Sequence, residues 1–492
     1  MDLRPSMSPM IELLRFRTAW PLLLVLMVGV VGCAVNPVTG QRQFVLFSES
    51  QEIQMGREAD RDIVANLGLY EDEELEALIR EMGARMAAGS ERPDLPWTFR
   101  IVDDPTVNAF ALPGGFVYFT RGILAHFTSE AELAGVLGHE IGHVTARHGI
   151  TRVSRAQVAQ IGLGVGMVLA PELQPFGEAA GVGLQLLFLR NSREDERQAD
   201  DLGVRYMYQE GYDPRELSGV FAMLARASGA QDGDRIPGFL STHPDPLERR
   251  DRILQQVETS GLELGATRVG RASYLRLLDG LVFGTNPREG YFEGDRFLHP
   301  ELAFELRFPQ GWRTVNARHQ VQGVSPQEDA VLILSLSDAA SAAGARDAFL
   351  RQAGLIEERR WSESVSGLPA AWGQFRITSE HATFRGVVAY VEYGERLFQL
   401  LGYSHFGVWE GRRDAVIAAV RSFGEVTDPS VLGVEPRRIE VVELPREMSL
   451  EAFLSDYPSS IPDETVAVIN QLETGDVIPA GTLLKRVVGG PN

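Results

Sequence analysis

His139, Glu140 and His143 stand in the order H-E-x-x-H within residues 133–147, LAGVLGHEIGHVTAR, a stretch with small and apolar residues at helical spacing. On a helix, residues four apart share a face, so the two imidazoles can be aimed at one ion. Glu140 sits one residue round, close enough to activate a water held by that ion without being needed as a ligand. Two nitrogen ligands, a general base and an open coordination position are the parts of a zinc hydrolase site. Three fixed positions can also coincide by chance, so the surroundings matter. Residues 115–120 (GFVYFT) read as a strand just before the motif, and Thr128 or Ser129 can cap a helix whose first turn carries acids. A strand so placed can pair with an extended substrate through its backbone.

Two histidines need a third ligand. The single cysteine, Cys33, follows Arg4, Arg15, Arg17 and the apolar run 19–32, which has signal-peptide length and is marginal for a membrane span. Residues 30–33 (VVGC) resemble the lipobox of bacterial lipoproteins, in which the chain is cut before the cysteine and its thiol and new amine are acylated. On that reading 1–32 is a lipoprotein signal peptide and Cys33 carries the lipidation that holds the chain to a membrane. Ala34 after it suggests outer-membrane sorting. The rival is an uncleaved signal anchor. With Cys33 acylated no thiol is left, so a metal site must draw on His, Asp and Glu.

Residues 191–208 (NSREDERQADDLGVRYMY) cluster acids on a helix that otherwise reads as buried. Glu196 and Asp200 lie four apart on one face, which suits one carboxylate on the metal and another behind a ligand. The longer pattern H-E-x-x-H-x-x-G-x-x-H is excluded, because Ala146 and Gly149 stand where it needs glycine and histidine. His148, five past His143, is off the ligand face and reads as structural.

The elements that must position these residues follow from patterning. Residues 51–66 and 71–88 read as amphipathic helices, 98–102 as a strand and 103–113 as loop. Residues 157–189 are nearly uncharged and glycine-rich, in two apolar runs each about half the ~20 residues of a membrane span, and are expected to form a helical hairpin. The 492 residues are 44% hydrophobic and 23% charged, which fits two or three globular domains. A formal net charge of −20 with no basic run argues against a nucleic-acid partner.

HEIGH at 139–143, REDERQAD at 193–200 and STHPDPLERR at 241–250 occur in the order found in HtpX-like and CAAX-prenyl-endopeptidase-like zinc metallopeptidases. The lead-in NPVTGQRQFVLFSESQEIQMGREAD is also similar to a soluble bacterial branch of that family, and the resemblance spans roughly residues 34–260. It implies a mainly helical gluzincin fold with a small edge sheet. His139, His143 and Glu196 become the ligands of one zinc ion, and Glu140 the general base. Asp200 becomes a carboxylate behind the ligands, and His243 a catalytic histidine near the cleft that can approach the metal or stabilise the tetrahedral oxyanion. Arg193 and Arg249 match basic positions of less defined role. The family's polytopic members have further spans, which this chain lacks beyond its leader.

From about residue 281 short alternating strands, 304–308, 331–336, 371–377, 383–393 and 396–403, with helices at 345–353 and 412–423, predict an α+β domain. LRFPQGWR at 306–313 resembles the opening of PsbP-like and MOG-like domains. Residues 437–488 read as strand, helix, helix, strand and resemble a LysM module, which contacts peptidoglycan. The expected organisation is α+β overall, with a protease domain at 33–275, the PsbP-like domain at 281–425 and the LysM-like tail at 435–492. The expected function is a membrane-anchored periplasmic zinc endopeptidase acting on misfolded or stalled envelope proteins. Its rivals are a non-catalytic envelope assembly chaperone and a cell-wall amidase.

Overall fold

The computed structural model describes residues 33–163, 186, 189–227, 238–378 and 382–490. The leader and most of the 157–189 hairpin lie outside the described residues. Two short strands, β1 (Cys33–Val35) and β2 (Arg42–Phe44), form a hairpin ahead of helices α1 (Glu49–Leu67) and α2 (Glu73–Ala88). Ser48 and Gln51 make a reciprocal cap at the start of α1, and Asp72 caps α2.

The two helices cover opposite faces of a sheet of β3 (Thr98–Val102), β4 (Ala109–Leu112) and β5 (Phe116–Thr120), in the order β3-β5-β4. Ala59, Ile63 and Leu67 of α1 pack on Phe110, Leu112 and Tyr118, whereas Leu75, Ile79 and Met82 of α2 meet Phe99, Val117 and Phe119. This sheet corrects two expectations. The stretch 103–113 is not all loop, because the short run AFAL gains strand partners once the Pro113-Gly114-Gly115 turn folds it back on β5. Gly114 is required at that turn: its φ is 84°, and a Cβ there would stand 2.7 Å from the Cα of Ile53. The strand expected to meet an extended substrate, β5, is central, with β3 parallel on one side and β4 antiparallel on the other. The outer strands are β3 and β4.

Helix α3 (Arg121–His126) leads into the motif helix α4 (Glu130–Thr145), capped by Ser129. Every residue of α4 after Glu130 is buried, as its small and apolar sequence dictates for a helix in the middle of a core. Around it stand α5 (His148–Leu163), α6 (Arg193–Gln209), α7 (Glu216–Ala227) and α8 (Pro246–Thr259). Helices α4 and α6 cross where both lack side chains: a Cβ on Gly138 would lie 3.1 Å from the Gly203 carbonyl oxygen, and one on Gly203 3.1 Å from the His139 nitrogen.

Beyond residue 283 a seven-stranded antiparallel sheet runs, in spatial order, through 355–362, 370–378, 383–393, 396–405, 330–337, 320–324 and 313–317. Alternation along Thr383–Tyr393 serves two faces. Val388 and Tyr390 pack with Ala342 and Ala345 of one helix, and Ala389 and Val391 with Ala419 and Val420 of another. The helices begin at Ala342 and Trp409, three residues before their predicted starts.

The chain then returns to where it left. Gly280 donates to the Ile439 carbonyl at 2.8 Å, and Ile439 to that of Leu281 at 2.8 Å. Arg438–Glu443 pairs antiparallel with Leu483–Val488, and helices Leu450–Asp456 and Asp463–Asn470 lie between them in sequence. The apolar side of this tail belongs to the same core as α4: Phe453, Val466, Ile469 and Leu484 join Leu133, Leu137 and Phe127 in one continuous cluster. Lys485, fully buried, donates to the carbonyls of Ala125 at 2.9 Å and Phe127 at 2.7 Å. Gln471 donates to Glu132 in the first turn of α4 at 2.8 Å. Helices and sheets are thus mixed along the chain, and among the described residues no helix is long and apolar enough to cross a membrane.

Candidate metal centre

Helix α4 presents His139 and His143 from one face, with their Nε2 atoms 3.0 Å apart. The glycine crossing lets α6 come close enough for Glu196 to join them, at 3.5 Å from His139 Nε2 and 3.3 Å from His143 Nε2. His243 arrives from another direction, after the single turn Phe239–Thr242, stacked on the Phe239 ring at 4.2 Å between centroids. Its Nδ1 stands 3.0 Å from both oxygens of Glu196. One ligand atom from each of His139, His143, Glu196 and His243 lies within 4.8 Å of the others, and all four residues are buried.

Three nitrogens and a carboxylate, converging and dry, fit a borderline-soft divalent ion such as zinc. Two further observations agree with that fit. Burial holds the His143 imidazole well below its usual range, so the ring is neutral, as a ligand must be. Burial also pushes Glu196 up, but the neighbouring His243 and Arg249 outweigh it and hold the carboxyl well below the usual carboxylate range.

The surroundings orient these four side chains. His139 Nδ1 lies 3.0 Å from Asp200, which leaves Nε2 facing the cluster. Arg249, on α8, grips Asp200 at 2.6 and 3.0 Å and reaches Glu196 at 2.7 Å, its guanidinium lying 4.1 Å over the Phe221 ring. Arg193 does not come near. It is an exposed residue at the start of α6 and pairs with Asp245 at 2.8 Å, on a side of the first turn away from the one that carries Glu196. His148, read from sequence as merely structural, has its Nδ1 2.9 Å from that of His143.

Glu140 lies beside the four, 3.8 Å from His243 Nε2, with Oε1 buried and without a hydrogen-bond partner. Burial pushes its carboxyl up, offset in part by His243 and His139. A cavity of about 30 Å³ lined by Glu140, His143, His243, Asn191 and residues of β4 adjoins it, enough for a water molecule. Asn191 is a residue that sequence reasoning missed. Its Nδ2 is 3.4 Å from His143 and 3.3 Å from His243, but in the sequence it is only a polar residue before a helix cap.

The fold and the cluster together define a metallopeptidase domain. Residues 73–257 match peptidase family M48. It is similar to the mitochondrial metalloendopeptidase OMA1 of Arabidopsis thaliana, 37% identical over 35% of this chain and 33% of that one. The OMA1 of Schizosaccharomyces pombe is 30% identical over 44% of this chain and 64% of its own. The beta-barrel assembly-enhancing protease of Escherichia coli is 28% identical over 41% and 43%. The chain therefore spans between a third and just under two thirds of the length of these relatives. A solved structure of cyanobacterial PsbP from Synechocystis is similar over 26% of this chain and 91% of its own, at 14% identity and a TM-score of 0.23.

Proposed function

We propose that the protein is a zinc endopeptidase of the bacterial envelope that hydrolyses peptide bonds in unfolded or misassembled envelope proteins. The observation that carries this reading is the convergence of His139, His143, Glu196 and His243 beside a buried Glu140 that lines a water-sized cavity. His139, His143 and Glu196 would hold the ion, with His243 close enough to share it. Zinc bound there supplies a Lewis acid that polarises the scissile carbonyl and lowers the pKa of a nearby water. Glu140 takes the proton from the attacking water and returns it to the departing amine, and the upward push of burial favours its taking up that proton. Asp200 and Arg249 hold His139 and Glu196 in register for that step. The outer strand β4 offers backbone groups at the cleft to an extended chain.

Placement at the periplasmic face of the outer membrane is supported by VVGC at 30–33, with Cys33 as the lipidated residue, and by the likeness to an assembly-enhancing protease. Peptidoglycan contact through the tail has its strand-helix-helix-strand order in its favour. The surface that the tail commits to the peptidase core weighs against a free module. The Glu140→Gln protein is expected to keep its zinc and to lose cleavage of casein. Undiminished cleavage would overturn the mechanism. Rescue of an envelope defect by Glu140→Gln as complete as by wild type would instead favour the non-catalytic chaperone, and digestion of purified peptidoglycan the amidase.

A further inference from the structure

A ligand histidine must offer the right nitrogen. For His143 the choice is set by a chain of hydrogen bonds that begins in the hairpin directly behind Cys33. The Oδ1 of Asn36 accepts from the backbone nitrogens of Val38 at 2.9 Å and Thr39 at 3.3 Å. Those are donors that cannot be reversed, so the other end of the amide, Nδ2, must donate. It does so towards three acceptors, the Gln198 Oε1 at 3.4 Å, the Ala146 carbonyl at 3.3 Å and the Gln43 Oε1 at 3.5 Å.

Gln198 therefore turns its oxygen inward, and the same oxygen lies 2.9 Å from Nε2 of His148. His148 Nε2 must carry a proton, which the carboxylate of Asp195 at 3.7 Å also favours. A neutral imidazole with Nε2 protonated has a bare Nδ1, and His148 Nδ1 faces His143 Nδ1 at 2.9 Å. The proton between them belongs to His143, which leaves His143 Nε2 with its lone pair directed at His139 and Glu196.

We infer that Asn36, Gln198 and His148 are positioning residues that lock His143 in the tautomer a metal ligand needs, which makes the hairpin behind Cys33 part of the metal centre. The inference rests on the reading of His143 as a zinc ligand. It assigns His148 a task its place off the ligand face does not suggest. It also gives a mostly exposed lead-in a reason to bury Asn36, which is 7% exposed, and just beyond it Leu46 donates to Ser154 of α5 at 3.0 Å.

Two measurements on the full-length protein test it. With histidines labelled by nitrogen-15 and the metal removed, His143 is expected as the Nδ1–H tautomer, the minor form of the free histidine side chain, and Gln198→Leu is expected to shift it towards a mixture. His143 found protonated on Nε2 in the wild type overturns the proposal. In chelator competition, Gln198→Leu and His148→Phe are expected to bind zinc ~10–100-fold more weakly, the range for residues behind metal ligands. Gln198→Glu and His148→Gln, which keep an acceptor oxygen, should stay near wild type, and Asn36→Leu should weaken binding in the same direction as Gln198→Leu. Wild-type affinity in Gln198→Leu and His148→Phe overturns the relay while the zinc reading stands. A wild-type protein that binds no zinc defeats both, which separates the two failures.

Discussion

Asp200 receives Nδ1 of His139 at 3.0 Å on the same carboxylate that Arg249 holds at two points. One acid thus fixes the orientation of a ligand ring and neutralises a buried guanidinium. Asp200→Asn keeps the shape but gives up the charge and offers an amide where His139 needs an acceptor. Zinc affinity should fall ~10–100-fold, read by chelator competition. Asp200→Ala leaves Arg249 buried with one carboxylate fewer, and should lower unfolding free energy by about 3–5 kcal/mol in denaturant titration.

The helix crossing at Gly138 and Gly203 sets the distance from Glu196 to the histidines. A Cβ on Gly203 meets backbone, His139 N at 3.1 Å and the Gly135 carbonyl oxygen at 3.3 Å, and backbone cannot swing aside. Gly203→Val should part the helices, cost about 1–3 kcal/mol of stability and weaken zinc binding together with it. Unchanged zinc binding in the folded variant would show that α6 can carry Glu196 inward without the close crossing.

His126 is buried with its Nδ1 2.7 Å from the Gly122 carbonyl, and burial lowers its pKa from 6.5 to about 4. The unfolded chain takes up the proton near 6.5 and the folded chain only near 4. Stability is therefore level above 6.5, falls as pH drops from 6.5 to about 4, and levels again below. The gap corresponds to ~3 kcal/mol. Urea melts across that window should show the fall, and His126→Gln, which cannot titrate, should flatten it.

Phe453 is fully buried in the core shared by the tail and α4. Phe453→Ala should destabilise the peptidase domain by about 3–5 kcal/mol, followed by its thermal transition. A chain cut after Gly433 should lose that cooperative transition altogether. An independent tail would leave it untouched.

Much of the centre is legible because helical spacing is local. His139, Glu140 and His143 share a face by counting alone, and Glu196 and Asp200 stand out as acids on a helix that is otherwise buried. What spacing cannot give is direction between helices. Arg193 and Arg249 are alike in sequence, each among charges at the start of a helix, yet α8 turns one into the cluster while α6 leaves the other in solvent. Asn36, Asn191 and Gln198 are missed for a related reason, since a neutral amide has no patterning signal and gains its role only from what it faces. Strand β4 is four residues long and owes its pairing to the turn after it. The order of elements in the tail is readable from alternation and turns, but nothing in that pattern names the surface its apolar side will cover.

The lysine that closes the core over the start of α4 lies 360 residues beyond the carbonyl it binds. At roughly 5–20 residues per second of synthesis that is a delay of about 20–70 s. Once Glu196 has been made, and for most of that interval, the growing chain contains His139, Glu140, His143 and Glu196, but Ala125 and Phe127 have no ammonium to bind and Glu132 has no Gln471. The peptidase core is closed by a segment made long after its catalytic motif, so the finished centre belongs to a chain read through residue 485 and not to the nascent fragment that first displays the motif.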